Sequence, residues 1–363
     1  EGLSAHDPND KVGIGVGIAH WINGSEILSY GIHFENVDTA SASAQVVILR
    51  DTLDITKVDI ISFKPELITI GNHTIDFSTF KTNQPLLYDM RPAINLIVKM
   101  EVSLDSIIGA LEVIYTSLDP TTMLLTTDPL LGFLPPNINK PTGEGSFYYS
   151  VKLKAGLSNN TIVKNTANIY FDFNPPILTP TWINTIDILP PTSKMNSTIS
   201  NTNDTTIYLS WKGSDVQSGV QKYDIFYSEN GGAFIPYITN FANDSILFYG
   251  KAGSGYSFYT IAVDNVGNRD IKSIGDVSIR INEEDIQIFP NPSTGEFTVQ
   301  IKNDVQVSKL ALFDMQGHKV PIAYKKNNNT YLVQVPTQQN VGTYVLKIVT
   351  ADKSFTGKIL IQK

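Results

Sequence analysis

Apolar and polar residues alternate with a period of two in short runs along the whole chain, and no long stretch carries an apolar period of 3.6. Ile27-Leu28-Ser29-Tyr30-Gly31-Ile32-His33-Phe34, Val151-Lys152-Leu153 and Ile207-Tyr208-Leu209-Ser210-Trp211 show the pattern. Successive side chains of a strand point to opposite faces, so such runs predict half-buried strands. Turn formers bound them, as at Asp7-Pro8-Asn9-Asp10, Asp119-Pro120, Asp128-Pro129, Leu134-Pro135-Pro136-Asn137 and Asn174-Pro175-Pro176. Gly and Asn accept turn backbones and Pro cannot continue a ladder. The predicted class is all-β, built from sandwiches.

Two breaks divide the pattern. Paired prolines in Leu189-Pro190-Pro191-Thr192-Ser193 favour an extended connector, and Asn282-Glu283-Glu284-Asp285 is an acidic hinge between two apolar runs. They predict domains at residues 1–187, 188–283 and 284–363, in keeping with a length of 363 residues, which exceeds what one core usually organises. The first domain is large for one sandwich. Two subdomains are the alternative there, with the proline-bearing loop from Ser117 to Gly145 as their seam.

Composition narrows the function classes. A hydrophobic share of 42% with 17% charged residues is that of a globular protein. The net charge of -8 offers no basic face, so nucleic acid is not an expected partner. Cysteine is absent, which excludes disulfides, thiolate zinc sites and cysteine nucleophiles together. No apolar run reaches the roughly 18–20 residues that span a bilayer, so no transmembrane segment is expected. The start, EGLSAHDPND, has neither Met nor an apolar signal core and reads as a processed or cut end.

Catalytic signals are weak. Gly13, Gly15 and Gly17 have the spacing G-x-G-x-G with no helix pattern after Ile18. A phosphate cradle needs its glycine turn to open onto a helix N-terminus, so these read as a strand of small residues that another group approaches closely. His6, His20, His33, His73 and His318 form no i, i+4 pair, and no G-x-S-x-G elbow occurs. His33, inside an alternating run, reads as a packed or edge residue rather than a general base. The chain is therefore expected not to be an enzyme. Oxygen-rich turns at Asp7-Asn9-Asp10, Asp172-Asn174 and Asp264-Asn265-Asn268 leave two readings open. They are Asx turns, or Asp7, Asp10 and Asp172 ligate calcium, the one cofactor the sequence suggests. Tyr148 and Tyr149, Tyr223 and Tyr227, Tyr256 and Tyr259 are candidate glycan platforms, of which strand parity sends about half to the core.

The last segment contains Ile286-Gln287-Ile288-Phe289-Pro290-Asn291-Pro292-Ser293-Thr294-Gly295-Glu296-Phe297, Leu312-Phe313-Asp314-Met315-Gln316-Gly317, Val341-Gly342-Thr343-Tyr344-Val345-Leu346 and Lys358-Ile359-Leu360-Ile361. In that order these resemble the type IX secretion C-terminal sorting domain, type A, of Bacteroidota exports. The motif positions are Phe289, Pro290, Asn291, Pro292, Gly295, Gly317, Gly342 and Tyr344. The resemblance implies a small sandwich of about seven strands, the type IX secretion machinery as partner, an extracellular or outer-surface location, and removal of the domain near Asn282 to Asp285.

The middle segment resembles fibronectin type III and related immunoglobulin-like domains, through Trp211, the run Gly255 to Asp264 and the closing turn Asp264-Asn265-Val266-Gly267-Asn268. The first resembles an immunoglobulin-like repeat of large Bacteroidota surface proteins, through Asp7 to Lys11, Tyr30 to Asn36, Arg50 to Asp54 and Asn168 to Pro176. The whole is expected to be tandem immunoglobulin-like β-sandwiches forming a non-catalytic surface stalk. A filament subunit joined by an N-terminal arm such as Glu1 to Lys11, an adhesin or carbohydrate-binding module, and the tail of an enzyme lying upstream are the alternatives. Export by this route further implies O-glycans on Asp-Ser/Thr-aliphatic or Asp-Thr-Thr triplets, here at Thr39, Thr52, Ser106, Thr205 and Ser245.

Overall fold

The computed structural model describes residues 9–76, 84–199, 205–281, 286–301, 306–351 and 354–362, and among these there are strands, turns and irregular segments but no helix. The expected cleavage segment Asn282 to Asp285 lies outside the described residues.

In the first segment a five-stranded sheet runs in the order Lys11–Gly13, Ile27–Glu35, Glu144–Leu153, Val58–Ile70, His73–Asp76. A six-stranded sheet runs Ile177–Leu178, Ala167–Phe171, Val46–Thr52, Ala110–Leu118, Ile97–Asp105, Leu86–Asp89. Strands such as Ile97–Asp105 and Ala110–Leu118 bury alternate residues, as the sequence pattern requires. The sheets meet through their inner faces, where the rings of Phe34 and Tyr115 lie 5.3 Å apart. A third, smaller sheet joins Ile162–Asn165, Trp182–Ile186 and Trp21–Ile22.

One continuous core runs from Ile22 to Ile186, so the segment is not two subdomains. The supposed seam is part of that core: Phe133 and Leu134 are buried, and Asn137 bonds Glu35 at 2.7 Å and Glu144 at 2.9 Å. Proline-rich loops can pack when side-chain amides satisfy their backbone, and Asn36 does so for Leu134 O at 2.9 Å. Pro65, inside the longest strand, sits where the ladder with Tyr149 slips register, the kind of place a residue without an N–H is tolerated. The glycine run behaves as a close-approach strand: a Cβ on Gly13 would lie 2.6 Å from Trp182 Nε1, and one on Gly15 2.5 Å from His20 Cβ.

The arm expected to donate a strand elsewhere is, from Asn9 onward, built into this fold. Asn9, Asp10 and Lys11 are buried, and Lys11–Gly13 pairs with Ile27–Glu35. Glu1 to Pro8 lie outside the described residues.

The stretch from Thr192 to Arg280 forms a three-stranded sheet, Thr192–Ile199, Thr206–Ser214, Ser245–Tyr249, and a four-stranded one, Ile235–Phe241, Val220–Glu229, Gly255–Asp264, Val277–Arg280. Trp211 is buried beside Phe241, with ring centroids 6.1 Å apart. From Phe258 to Asp264 every residue is buried, so Tyr256 and Tyr259 both serve the interior despite opposite parity. Tyr149 is also buried, and Tyr148, Tyr223 and Tyr227 are half-buried, so none of the six expected glycan-platform tyrosines is an exposed platform.

The chain divides into two compact units that do not follow boundaries at 188 and 284. Glu1–Ser193, Gly213–Tyr223 and Ile261–Ile271 form one, and Lys194–Lys212, Asp224–Thr260 and Lys272–Lys363 the other. The reason is polar. Within the first unit Asn159 donates to Gln217 at 3.1 Å, Gln217 to Asn160 at 2.7 Å, Ser218 N to Asp187 at 3.1 Å and Asn268 to Asp187 O at 3.0 Å.

Tyr115 supplies a test of how dry the first core is. Its hydroxyl is buried without a hydrogen-bond partner, and burial alone pushes its pKa up. Tyr115→Phe removes an unsatisfied polar atom and is expected to leave stability unchanged or raise it by about 1 kcal/mol in urea unfolding. A loss of that size would reveal a partner for the hydroxyl.

Candidate functional site

The last segment forms two four-stranded sheets, Ile286–Phe289, Glu296–Ile301, Thr330–Gln334, Ala323–Asn327 and Lys319–Val320, Val307–Phe313, Gly342–Thr350, Ser354–Ile361. They enclose their own core, which includes Phe297, Val299, Leu312, Val333, Tyr344, Leu346 and Ile359. Seven strands are substantial and Lys319–Val320 is a two-residue pairing, close to the expected seven.

The first and last motif pieces meet in space. Asn291 donates to Lys358 O and accepts from Leu360 N, both at 2.9 Å. Ser293 N donates to Leu360 O and Gln362 N to Ser293 O, both at 2.8 Å. Asn291 therefore acts as a surrogate ladder rung that pins the terminal strand, while Phe289, Pro290, Asn291 and Pro292 form an exposed ridge, Phe289 at 45%. Gly295, Gly317 and Gly342 have φ of 111°, 87° and 155°, a region that L side chains disfavour. Tyr344 is buried and donates its hydroxyl to Asn340 O at 2.6 Å. Replacing Asn291 by Ala is expected to cost about 1 kcal/mol locally, seen as faster amide exchange at Leu360 with slow exchange kept at Leu346.

The expected calcium ligands have other work. Asp10 bonds His33 at 2.6 Å, and Asp172 accepts the Gln45 and Val46 amides at 3.0 and 2.8 Å, while Asp7 lies outside the described residues. Asx chemistry accounts for Asp172. The carboxylates that the chain does gather are Asp187, Asp215 and Asp264, each offering an oxygen within 4.8 Å of the others. Main-chain amides already approach all three: Leu189 N and Ser218 N on Asp187, Gln217 N and Gly219 N on Asp215, Val266 N and Asn268 N on Asp264. Burial raises the pKa of Asp264 against those donors. These residues stand far apart in sequence, and only the Asp264 turn carried a local signal.

A cleft of about 720 Å³ opens beside Asp10, His33, Glu35, Lys140, Glu144 and Tyr148. His33 lines it but is held at both nitrogens, by Asp10 at 2.6 Å and Tyr148 at 2.7 Å. An imidazole so bridged lacks a free nitrogen for proton abstraction. Behind it lies a second polar group, sealed in the core. Lys11 Nζ contacts Asp51 Oδ2 and Tyr149 Oη, the latter at 3.0 Å. Tyr149 donates to Asp51 at 2.5 Å and accepts from Asn165 Nδ2 at 2.8 Å.

Of the glycosylation candidates, Thr39, Thr52, Ser106 and Thr205 are exposed and Ser245 is half-buried. At Thr52 the neighbouring Asp51 is sealed inside, so that triplet presents only its hydroxyl.

Comparison with known proteins gives two family matches: residues 88–185 match a family described as Domain of unknown function (DUF7619), and residues 287–362 match Secretion system C-terminal sorting domain. No curated protein matches the chain. Among solved structures, the collagen-binding domain of a Staphylococcus aureus adhesin shares 10% identity over 50% of this chain and 99% of its own, with a TM-score of 0.28. Chicken CNTN1 FN1–FN3 shares 8% over 97% and 98%, at 0.21. Dimeric latent PorU of Porphyromonas gingivalis shares 13% over 98% and 33%, at 0.20. The sheets themselves, rather than these distant likenesses, establish the architecture. Among the described residues no helix is long and apolar enough to cross a membrane. Residues 287–362 are thus a type IX secretion C-terminal sorting domain, and the chain that carries them is a protein exported to the cell surface or beyond.

Proposed function

We propose that this is a non-catalytic structural protein of the outer cell surface, a stalk or spacer delivered by type IX secretion. The observation that carries the reading is the succession of strand-only, separately cored segments ending in a sorting domain. Polar side chains near the cleft are consumed by one another, as at His33, Asn137 and the Thr69–Ser146 pair at 2.6 Å. That is the mark of a rigid scaffold rather than a site awaiting substrate. Open sheet edges such as Ile177–Leu178, with Leu178 at 65% exposure, support self-association into filaments by strand addition. O-glycans on Thr39, Ser106, Thr205, Ser245 and, less favourably placed, Thr52 would cover such edges. Sedimentation of natively isolated protein and peptide mapping of its sugars test these points: a lone, unmodified monomer at high concentration would remove both.

The cleft favours a second reading, a surface adhesin that takes a polar ligand such as a glycan. Glu35 and Glu144 converge there through Asn137, with Lys140 Nζ 3.8 Å from Glu35. A glycan array probed with the full chain separates the readings. Binding that Tyr148→Ala abolishes supports the adhesin, and a blank array supports the stalk.

A further inference from the structure

We propose that the first unit locks itself with an intramolecular amide bond between Lys11 Nζ and the side-chain carbonyl carbon of Asn165, with Asp51 as the proton carrier. Lys11 lies on the first described strand of the unit and Asn165 ends the strand Ile162–Asn165, so the bond would join the first strand to one late in the segment.

The environment is that of a reaction chamber rather than an ion pair on a surface. The side chains of Lys11 and Asp51 are 0% and 1% exposed, and Asn165 is buried at 4%. The rings of Tyr30 and Tyr149 wall the amine at 5.0 and 5.2 Å. Charged groups are rarely sealed so completely, because desolvation opposes their ionisation. Burial lowers the pKa of Lys11, with Asp51 opposing the shift, and burial followed by the Asp51 charge raises that of Tyr149. Burial thus works against the charged amine, and only the neutral amine is a nucleophile.

The reacting groups share one anchor. Tyr149 Oη bonds Lys11 Nζ at 3.0 Å and Asn165 Nδ2 at 2.8 Å, and donates to Asp51 Oδ2 at 2.5 Å. Two atoms stand out by lacking any partner: Asp51 Oδ1 and Asn165 Oδ1, both buried acceptors. Two orphaned acceptors in one sealed pocket are costly, and a single proton on Asp51 would satisfy both by donating to the Asn165 carbonyl. The same hydrogen bond polarises that carbonyl for attack.

The chemistry balances without a cofactor. The lone pair of Nζ adds to Asn165 Cγ as Asp51 protonates the carbonyl oxygen. Asp51 then takes a proton from Nζ, the carbonyl re-forms, and a proton passes to Nδ2. The Cγ–Nδ2 bond breaks and ammonia leaves, so one amide replaces another and Asp51 is regenerated. In a chain without cysteine such a bond does the work of a disulfide, restraining the unfolded state and tying the first strand to one late in the segment.

The test is mass spectrometry of the full chain expressed in a heterologous bacterium. The expected result is a mass one ammonia below that of the sequence and, after digestion, a branched peptide joining the Lys11 and Asn165 fragments. Asp51→Asn should keep the fold, judged by near-ultraviolet circular dichroism, while the chain regains the full mass. Asn165→Ala should also abolish the branch. Separate Lys11 and Asn165 peptides from folded wild-type protein would overturn the proposal. So would a branch to Asp51 with loss of water. The wild-type measurement decides the matter even where a variant fails to fold.

Discussion

Cells producing the chain without residues 286–363 are expected to show none of it on their surface, with the truncated protein held on the periplasmic side. The sorting domain has its own core, including Phe297, Leu312, Tyr344 and Ile359, and among the described residues the core around Phe34 and Phe147 is built from side chains between Ile22 and Ile186. Deletion therefore removes the address without removing any side chain from the core of the first segment. Protease protection of the retained protein should match that of the same segments in the full chain. The ridge from Phe289 to Pro292 is exposed and is pinned by Asn291 and Ser293 to the terminal strand, so the deletion removes both partners of that contact together. Surface signal from the truncated chain at wild-type level would show that export does not depend on this segment.

Phe147→Ala is expected to cost about 3–5 kcal/mol, the range for emptying an aromatic position in a packed core. Phe147 is 0% exposed on Glu144–Leu153, the middle strand of the five-stranded sheet, opposite Ile32 and Ile68. Its ring stacks on Tyr149 at 5.7 Å, so the cavity would open beside the Lys11–Asp51 group. Because domains are stable by only about 5–15 kcal/mol, this one truncation should bring the unit near the edge of folding. Urea unfolding followed by tyrosine fluorescence checks it. A loss below about 1 kcal/mol would mean that the two sheets do not depend on this central strand.

The strand class and the sorting segment were legible in the sequence because both are local signals. Alternation marks half-buried strands, as in Ile207 to Trp211, and the motif pieces at Phe289, Gly317 and Tyr344 mark turns and core positions in one short stretch. Strands buried on both faces were harder to read. Tyr256 and Tyr259 look like opposite-facing residues, yet from Phe258 to Asp264 the strand is buried throughout. Long-range polar pairing was invisible. No local pattern couples Lys11 to Asp51, and only the fold shows the two together with Tyr149 and Asn165. The same holds for Asp187, Asp215 and Asp264, which loops bring together, and for Asp10 and Asp172 of the expected calcium set Asp7, Asp10 and Asp172, which are engaged by His33 and by the Gln45 and Val46 amides.

Surface labelling in living cells tests the central claim most directly. Intact cells with working and with disabled type IX machinery are treated with a membrane-impermeant amine reagent, and Lys140, Lys152 and Lys154 of the chain, all exposed in the first unit, are quantified. The expected result is labelling in the working strain and none in the disabled one, with equal total protein in both. Equal labelling in the two strains, or none in either while the protein is present in the cell, would contradict an exported surface protein delivered by its C-terminal sorting domain.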